Sequence, residues 1–164
     1  YLIDLARLEG VVNRVFDGAG DEETPPLEIN RLQLMSAEAF TQSRIVLARS
    51  LQLVSLRFPL HEHFSALVRG EQPGIPEPGP QVVAVWRRDY RVRRLPVDPA
   101  AARLLTLLGE GRLVGDALVC LVREQPSLAP HLGTLLPGWF QGGAERGWIG
   151  GVEASGSLTA PTSE

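Results

Sequence analysis

Residues 81–96 read QVVAVWRRDYRVRRLP. Val82, Val83, Val85 and Trp86 are β-branched or aromatic, and such residues suit a pleated, half-buried surface. Tyr90, Val92 and Arg94 then alternate with Arg91, Arg93 and Leu95 at the strand period. The stretch predicts a β-hairpin with its turn at Arg88-Asp89, although neither residue favours the positive φ of the commonest two-residue turns. Five arginines, Arg87, Arg88, Arg91, Arg93 and Arg94, crowd into eight positions. Two readings compete. One is a solvated charged face that merely blunts a sheet edge. The other is a strand pair with one apolar face and many cations that accepts another peptide as an added strand.

Upstream of the hairpin, residues 71–80 (EQPGIPEPGP) hold four prolines and two glycines, which predicts a linker or surface loop. Pro59 suits the first turn of a helix that runs through His61, Phe64, Leu67 and Val68 and stops at Gly70. Residues 44–57 (RIVLARSLQLVSLR) are read as extended, with a break near Ala48 to Ser50. Ser36 is a plausible N-cap for a short helix, with Glu38 near its positive end. Leu27 to Leu32 is ambiguous, and Gly18 to Pro26 is an acidic, proline-containing loop. Leu2, Leu5, Leu8, Val12, Val15 and Phe16 recur at helical spacing and predict an amphipathic helix ending near Asp17-Gly18. That helical pattern is already under way at Tyr1, which predicts further residues upstream.

Downstream, Asp98 caps a helix with Pro99 at its first position, and Ala102, Leu104, Leu105, Leu107 and Leu108 make its apolar side. A second helix, Val114 to Glu124, buries Ala117, Leu118, Leu121 and Val122. A third runs from about Leu128 to Gln141 with Leu132, Leu135, Leu136, Trp139 and Phe140, kinked or shortened by Pro137 and Gly138. Trp148-Ile149 adds a short strand or docking segment. Residues 150–164 are rich in Gly, Ser and Thr and are read as a disordered tail. The expected fold is α+β: a small antiparallel sheet plus helices, arranged as a winged-helix-like module over 44–149. Residues 1–43 precede that module, and their additional N-terminal helix, Tyr1 to Asp17, would pack on it or on a part upstream.

The chain has 164 residues, 44% of them apolar, which suits one domain with a real core, or a domain with an appendage. Net charge is −3, so no global basic field draws in nucleic acid. All 16 cations are arginine, which favours bidentate pairing with carboxylates. The single cysteine, Cys120, excludes an intrachain disulfide and fits a reducing compartment. With no apolar run long enough for a membrane span and no signal-peptide pattern, the expected location is cytoplasmic.

No catalytic constellation emerges. His61 and His63, at i and i+2, lie on different helix faces and chelate poorly together. Cys120 sits in an apolar run, LVCLV, without the cationic surroundings that make a thiol nucleophilic. Asp21, Glu22 and Glu23 occupy a loop, where paired carboxylates lack a rigid frame. Gly142-Gly143 and Gly150-Gly151 lack the strand-before, helix-after setting of a phosphate loop. A winged-helix DNA-binding transcriptional regulator is the alternative. Yet the third helix offers only His131 and Gln141 as polar readers and no arginine before Arg146, so the phosphate contacts that dominate DNA affinity are missing from it.

Three fragments together resemble one family: YLIDLARLEGVVNRVF, SLQLVSLRFPLHEHFSAL and QVVAVWRRDYRVRRLPVDPAAARLLTLLGEGRLVGDAL. They look like the junction helix, the central strand-then-helix segment and the C-terminal half of the HvfC/BufC peptide-modification chaperones, first catalogued as DNA-binding proteins. The accessory subunits of methanobactin and 3-thiaglutamate biosynthesis are similar, more divergent relatives. The resemblance covers about Tyr1 to Ile149. The family's N-terminal helical half is unmatched apart from its final helix. The resemblance implies a non-catalytic subunit, with no cofactor of its own, in a heterodimer with a TIM-barrel multinuclear non-haem iron enzyme. That partner oxidatively rearranges cysteines of a ribosomally made precursor peptide. The accessory subunit would bind the precursor's leader as an added strand on Tyr90, Arg91, Val92, Arg93, Arg94 and Leu95. The groove would be walled by Leu132, Leu135, Leu136 and Trp139. Which side of the hairpin is free is not legible in the sequence. Neither a membrane nor nucleic acid is an expected partner.

Overall fold

The apolar stripe at the start of the chain forms the first of a series of helices and strands. These are α1 (Leu2–Asp17), α2 (Ala37–Thr41), β1 (Ser43–Leu47), β2 (Gln52–Leu56), α3 (Leu60–Val68), β3 (Gln81–Arg88), β4 (Arg91–Val97), α4 (Pro99–Gly109), α5 (Val114–Glu124), a 3-10 helix (Pro126–His131), α6 (Leu132–Arg146) and β5 (Ile149–Ala154). This computed structural model describes residues 1–20, 22, 27 and 34–154. The acidic loop's residues 21 and 23–26, residues 28–32 of the ambiguous stretch with residue 33, and residues 155–164 of the expected tail lie outside the described residues. The fold is α+β, with two small antiparallel sheets among the described residues.

The chain divides into two compact units, Tyr1–Pro25 with Ala48–Thr106, and Pro26–Leu47 with Leu107–Glu164. This division differs from the expected module over 44–149. The physical reason is strand pairing. β2 joins the hairpin, whereas β1 pairs with β5.

In the first unit the sheet order is β2-β3-β4. Val54 lies opposite Val83, and Val85 opposite Arg94, so these side chains share one face. That face packs on α1 and α3, in a core of Leu8, Val11, Val15, Val54, Leu56, Leu60, Val83 and Val85. The buried positions of α1 are Asp4, Leu8, Val11 and Val15, while Leu2 and Phe16 are exposed. The buried stripe is thus narrower at both ends than the sequence pattern predicts. Asp4 is buried because its carboxylate accepts the backbone N–H of Arg57 at 2.5 Å, and Arg7 stands 3.9 Å away. In α3 the inward positions are Leu60, His63 and Ala66, and the Tyr1 hydroxyl bonds the Nε2 of His63. Ala84 and Trp86 are also buried, so β3 is covered on both faces, as befits the central strand of the three. After the hairpin, the Asp98 carboxylate accepts the backbone N–H groups of Ala100 and Ala101, capping α4 as its sequence predicts.

In the second unit Ser36 caps α2 through the N–H of Ala39, and Phe40 meets Phe140 edge-to-face at 5.0 Å. α5 buries Val114, Ala117 and Leu121, at helical spacing. Prolines 126 and 130 fall in the 3-10 helix, and α6 then runs through Pro137 to Arg146, further than the expected end at Gln141. Gly147, at φ 75, terminates it in the left-handed conformation that glycine adopts without a steric penalty. β5 follows, pairing Ile149 with Leu47 and Ala154 with Ser43. Residues 150–154, expected in the tail, are therefore strand. Their composition hid them, because backbone pairing to β1, not side-chain alternation, orders them.

Two substitutions test which part of α1 holds the first unit. Leu8→Ala removes a side chain with no exposure and should cost about 2–5 kcal/mol in urea unfolding. Phe16→Ala, at 64% exposure, should stay within about 0.5 kcal/mol of the parent.

Candidate functional site

The hairpin turn occupies Asp89 and Tyr90, one residue later than expected. Both take positive φ, 53° and 58°, as a two-residue turn matched to strand twist requires. Aspartate tolerates this region better than tyrosine does. The shift slides the pairing by two positions, so every side chain keeps its face. It also corrects the role of Tyr90, which is an exposed turn residue and not part of the receiving strand.

Among the described residues β4 is the edge strand, so the hairpin side without a strand partner is the far side of β4. A two-residue turn closes on a hydrogen-bonded pair, here Arg88 and Arg91, and bonded and non-bonded pairs then alternate. Trp86–Arg93 and Ala84–Leu95 are therefore bonded pairs. The backbone groups of Val92, Arg94 and Pro96 point outward. Among the described residues no other backbone bonds to them. Pro96 lacks an N–H and sits where this interrupts no internal bond. The free ladder is thus short, with N–H donors at Val92 and Arg94 alone.

The pleat sorts the five arginines. Arg87, Val92 and Arg94 share the face that carries Val83 and Val85, while Arg88, Arg91, Arg93 and Leu95 share the other. Arg87 is held firmly. Its Nε lies 2.6 Å from Glu22 Oε1, and its Nη1 donates to the Phe16 carbonyl at 2.6 Å, at the C-terminal end of α1 where cations are favoured. The hydrogen bond from Arg87 lowers the Glu22 pKa below the ordinary carboxylate value. Arg94 lies 4.6 Å over the Phe64 ring and donates to Ser65 Oγ at 2.6 Å. Burial lowers its pKa, partly opposed by Glu62. Val92 is half-buried and packs against the core. Arg91 and Arg93 are exposed, and Leu95 is half-buried. Asp89 Oδ2 stands 4.0 Å from Arg88 and 3.9 Å from Arg93.

His61 is held below the ordinary imidazole pKa, first by burial and then by the Arg94 charge, with Glu62 opposing. Its Nδ1 and the Arg94 Nε are buried with no hydrogen-bond partner among the described residues. Leu132, Leu135, Leu136 and Trp139 are half-buried and follow one face of α6 at i, i+3, i+4 and i+7. They belong to the second unit and the hairpin to the first. Cys120 is half-buried on α5 and donates weakly to Glu124 Oε1 at 3.5 Å. Of the three acidic loop residues, Glu22 is committed to Arg87, and Asp21 and Glu23 lie outside the described residues. Among the described residues no group of His, Cys, Asp and Glu gathers to hold a metal ion, and no helix is long and apolar enough to cross a membrane. Sequence reasoning missed Glu22, Phe64 and Ser65 as the partners that fix Arg87 and Arg94. No spacing signal could reveal them, since Glu22 and Arg87 are 65 positions apart.

The chain matches no protein-family model and no curated protein.

The Glu22–Arg87 pair sets a pH dependence. A carboxylate with a lowered folded pKa stabilises the fold above its unfolded value, about 4.3, and loses that contribution as pH falls through and below it. Arg87→Gln should therefore destabilise the protein more at pH 7 than at about pH 3. Urea unfolding at both pH values checks this, and an unchanged gap would assign the loss to the carbonyl contacts alone.

Proposed function

We propose that this chain is a non-catalytic accessory subunit that binds the leader of a ribosomally synthesised precursor peptide and presents it to a multinuclear non-haem iron enzyme. The observation that carries this reading is the outer edge of β4. Outward backbone groups at Val92 and Arg94 offer hydrogen bonds to any extended chain, whatever its sequence. Arg91 and Arg93 beside them favour an acidic one. The resemblance of the three sequence fragments to the peptide-modification chaperones supports the choice of ligand and supplies the partner. The iron, and the oxidation of peptide cysteine, belong to that TIM-barrel partner in a heterodimer. The subunit acts in the cytoplasm, where Cys120 stays reduced.

Arg91→Glu combined with Arg93→Glu should weaken binding of an acidic leader peptide about tenfold in fluorescence anisotropy. Unchanged affinity would remove the hairpin as the electrostatic contact. Co-expression with the iron enzyme of the same gene neighbourhood should yield a complex that stays together at micromolar concentration on size exclusion, and separate elution would remove the partner. Steeply salt-dependent binding to duplex DNA, without peptide binding, would replace this reading with that of a DNA-binding regulator.

A further inference from the structure

Arg88, Arg91 and Arg93 lie on one face of the hairpin, and the register puts Arg88 directly opposite Arg91. Like charges facing each other across an antiparallel pair destabilise it. Asp89 answers only in part. Its carboxylate is 76% exposed, reaches Arg88 and Arg93 at 4.0 and 3.9 Å, and is not paired with Arg91. Among the described residues Arg91 makes no ion pair. Among the described residues Arg91 therefore offers an unfilled place for an anion along the edge strand itself, with Arg93 beside it only loosely answered by Asp89.

We infer that β4 selects an extended peptide segment carrying two carboxylates separated by one residue. This rests on the strand-addition reading above and specifies its ligand. The outward groups of Val92 and Arg94 set the register of an added strand. Its residues facing Arg91 and Arg93 are two apart and project to the arginine side, while the residue between them faces Val92. Both strands rise about 3.3 Å per residue, so carboxylates at i and i+2 match the arginine spacing of about 6.6 Å. Carboxylates at i and i+1 do not. One of them turns to the opposite face, where Val92 packs into the core and Arg94 is already engaged by Phe64 and Ser65. Pro96 at one end and the Asp89-Tyr90 turn at the other confine recognition to this short window. Charge spacing, and not net charge, is what the edge reads.

The test compares two short synthetic peptides of identical composition, alternating threonine and valine around two glutamates, with the glutamates either separated by one threonine or adjacent. Affinity is measured by titration against the full chain, and backbone amide exchange of Val92 and Arg94 is followed by NMR. The spaced peptide should bind about three- to fivefold more tightly, the size expected of exposed charge pairs, and should protect both amides. Arg91→Gln should abolish the preference. Equal affinities with both amides protected would overturn the spacing rule and leave strand addition standing. No protection by either peptide would overturn strand addition and the spacing rule with it.

Discussion

Burial of the α1 stripe, Leu8, Val11 and Val15, against Val54, Leu56, Val83 and Val85 is the constraint on which the first unit depends. Once that face of the sheet is committed to the helix, the two-residue period of a strand decides where every other hairpin side chain goes. Slipping β4 by a single residue would put Arg91 and Arg93 into the core and Val92 into water. The division of the arginines into an inner and an outer set is thus a consequence of apolar packing.

The inner arginines carry a desolvation cost that the surrounding residues offset. Arg87 reaches the last carbonyls of α1 and the Glu22 carboxylate, so its charge completes the helix end and ties a loop to the sheet. Arg94 lays its flat guanidinium on Phe64 and finds Ser65, a role suited to arginine and poorly to lysine. Its charge in turn helps keep neighbouring His61 neutral. What these residues contribute is an inner face tied by an ion pair, hydrogen bonds and a cation–π contact, against which β4 is held in one register.

That fixed register is what strand addition at the edge would need. Proteins commonly blunt free edges with charge and proline because unpaired backbone invites aggregation. Here both devices are present, Pro96 and the arginines, yet among the described residues no backbone pairs with the donors at Val92 and Arg94 between them. Under the proposed strand addition, a short, charge-guarded window would exclude most strands while admitting one of matching charge. On that proposal, the features that protect the edge would also select its ligand.

Much of this was legible from residues 81–96 and their surroundings. The β-branched run of β3, the Asp98 and Ser36 caps, the break between β1 and β2 and the amphipathic helices all follow from local propensity and period, which the sequence displays directly. Those signals also sufficed for an α+β fold and for arginines concentrated on one hairpin. They did not place the turn, because Asp89-Tyr90 lacks the usual turn chemistry and the register is set by distant apolar partners. Nor did they show that β4 is the edge, that β1 pairs with β5 across more than 100 positions of sequence, or that Arg87 belongs to Glu22. The sequence alone determined most of the helices, the strands β1 to β4 and the centres of their apolar faces, but not β5 or the ends of α1 and α6. Only the tertiary structure decided which strands pair and which arginines stay outside, since long-range pairing depends on how buried faces meet and leaves no period along the chain.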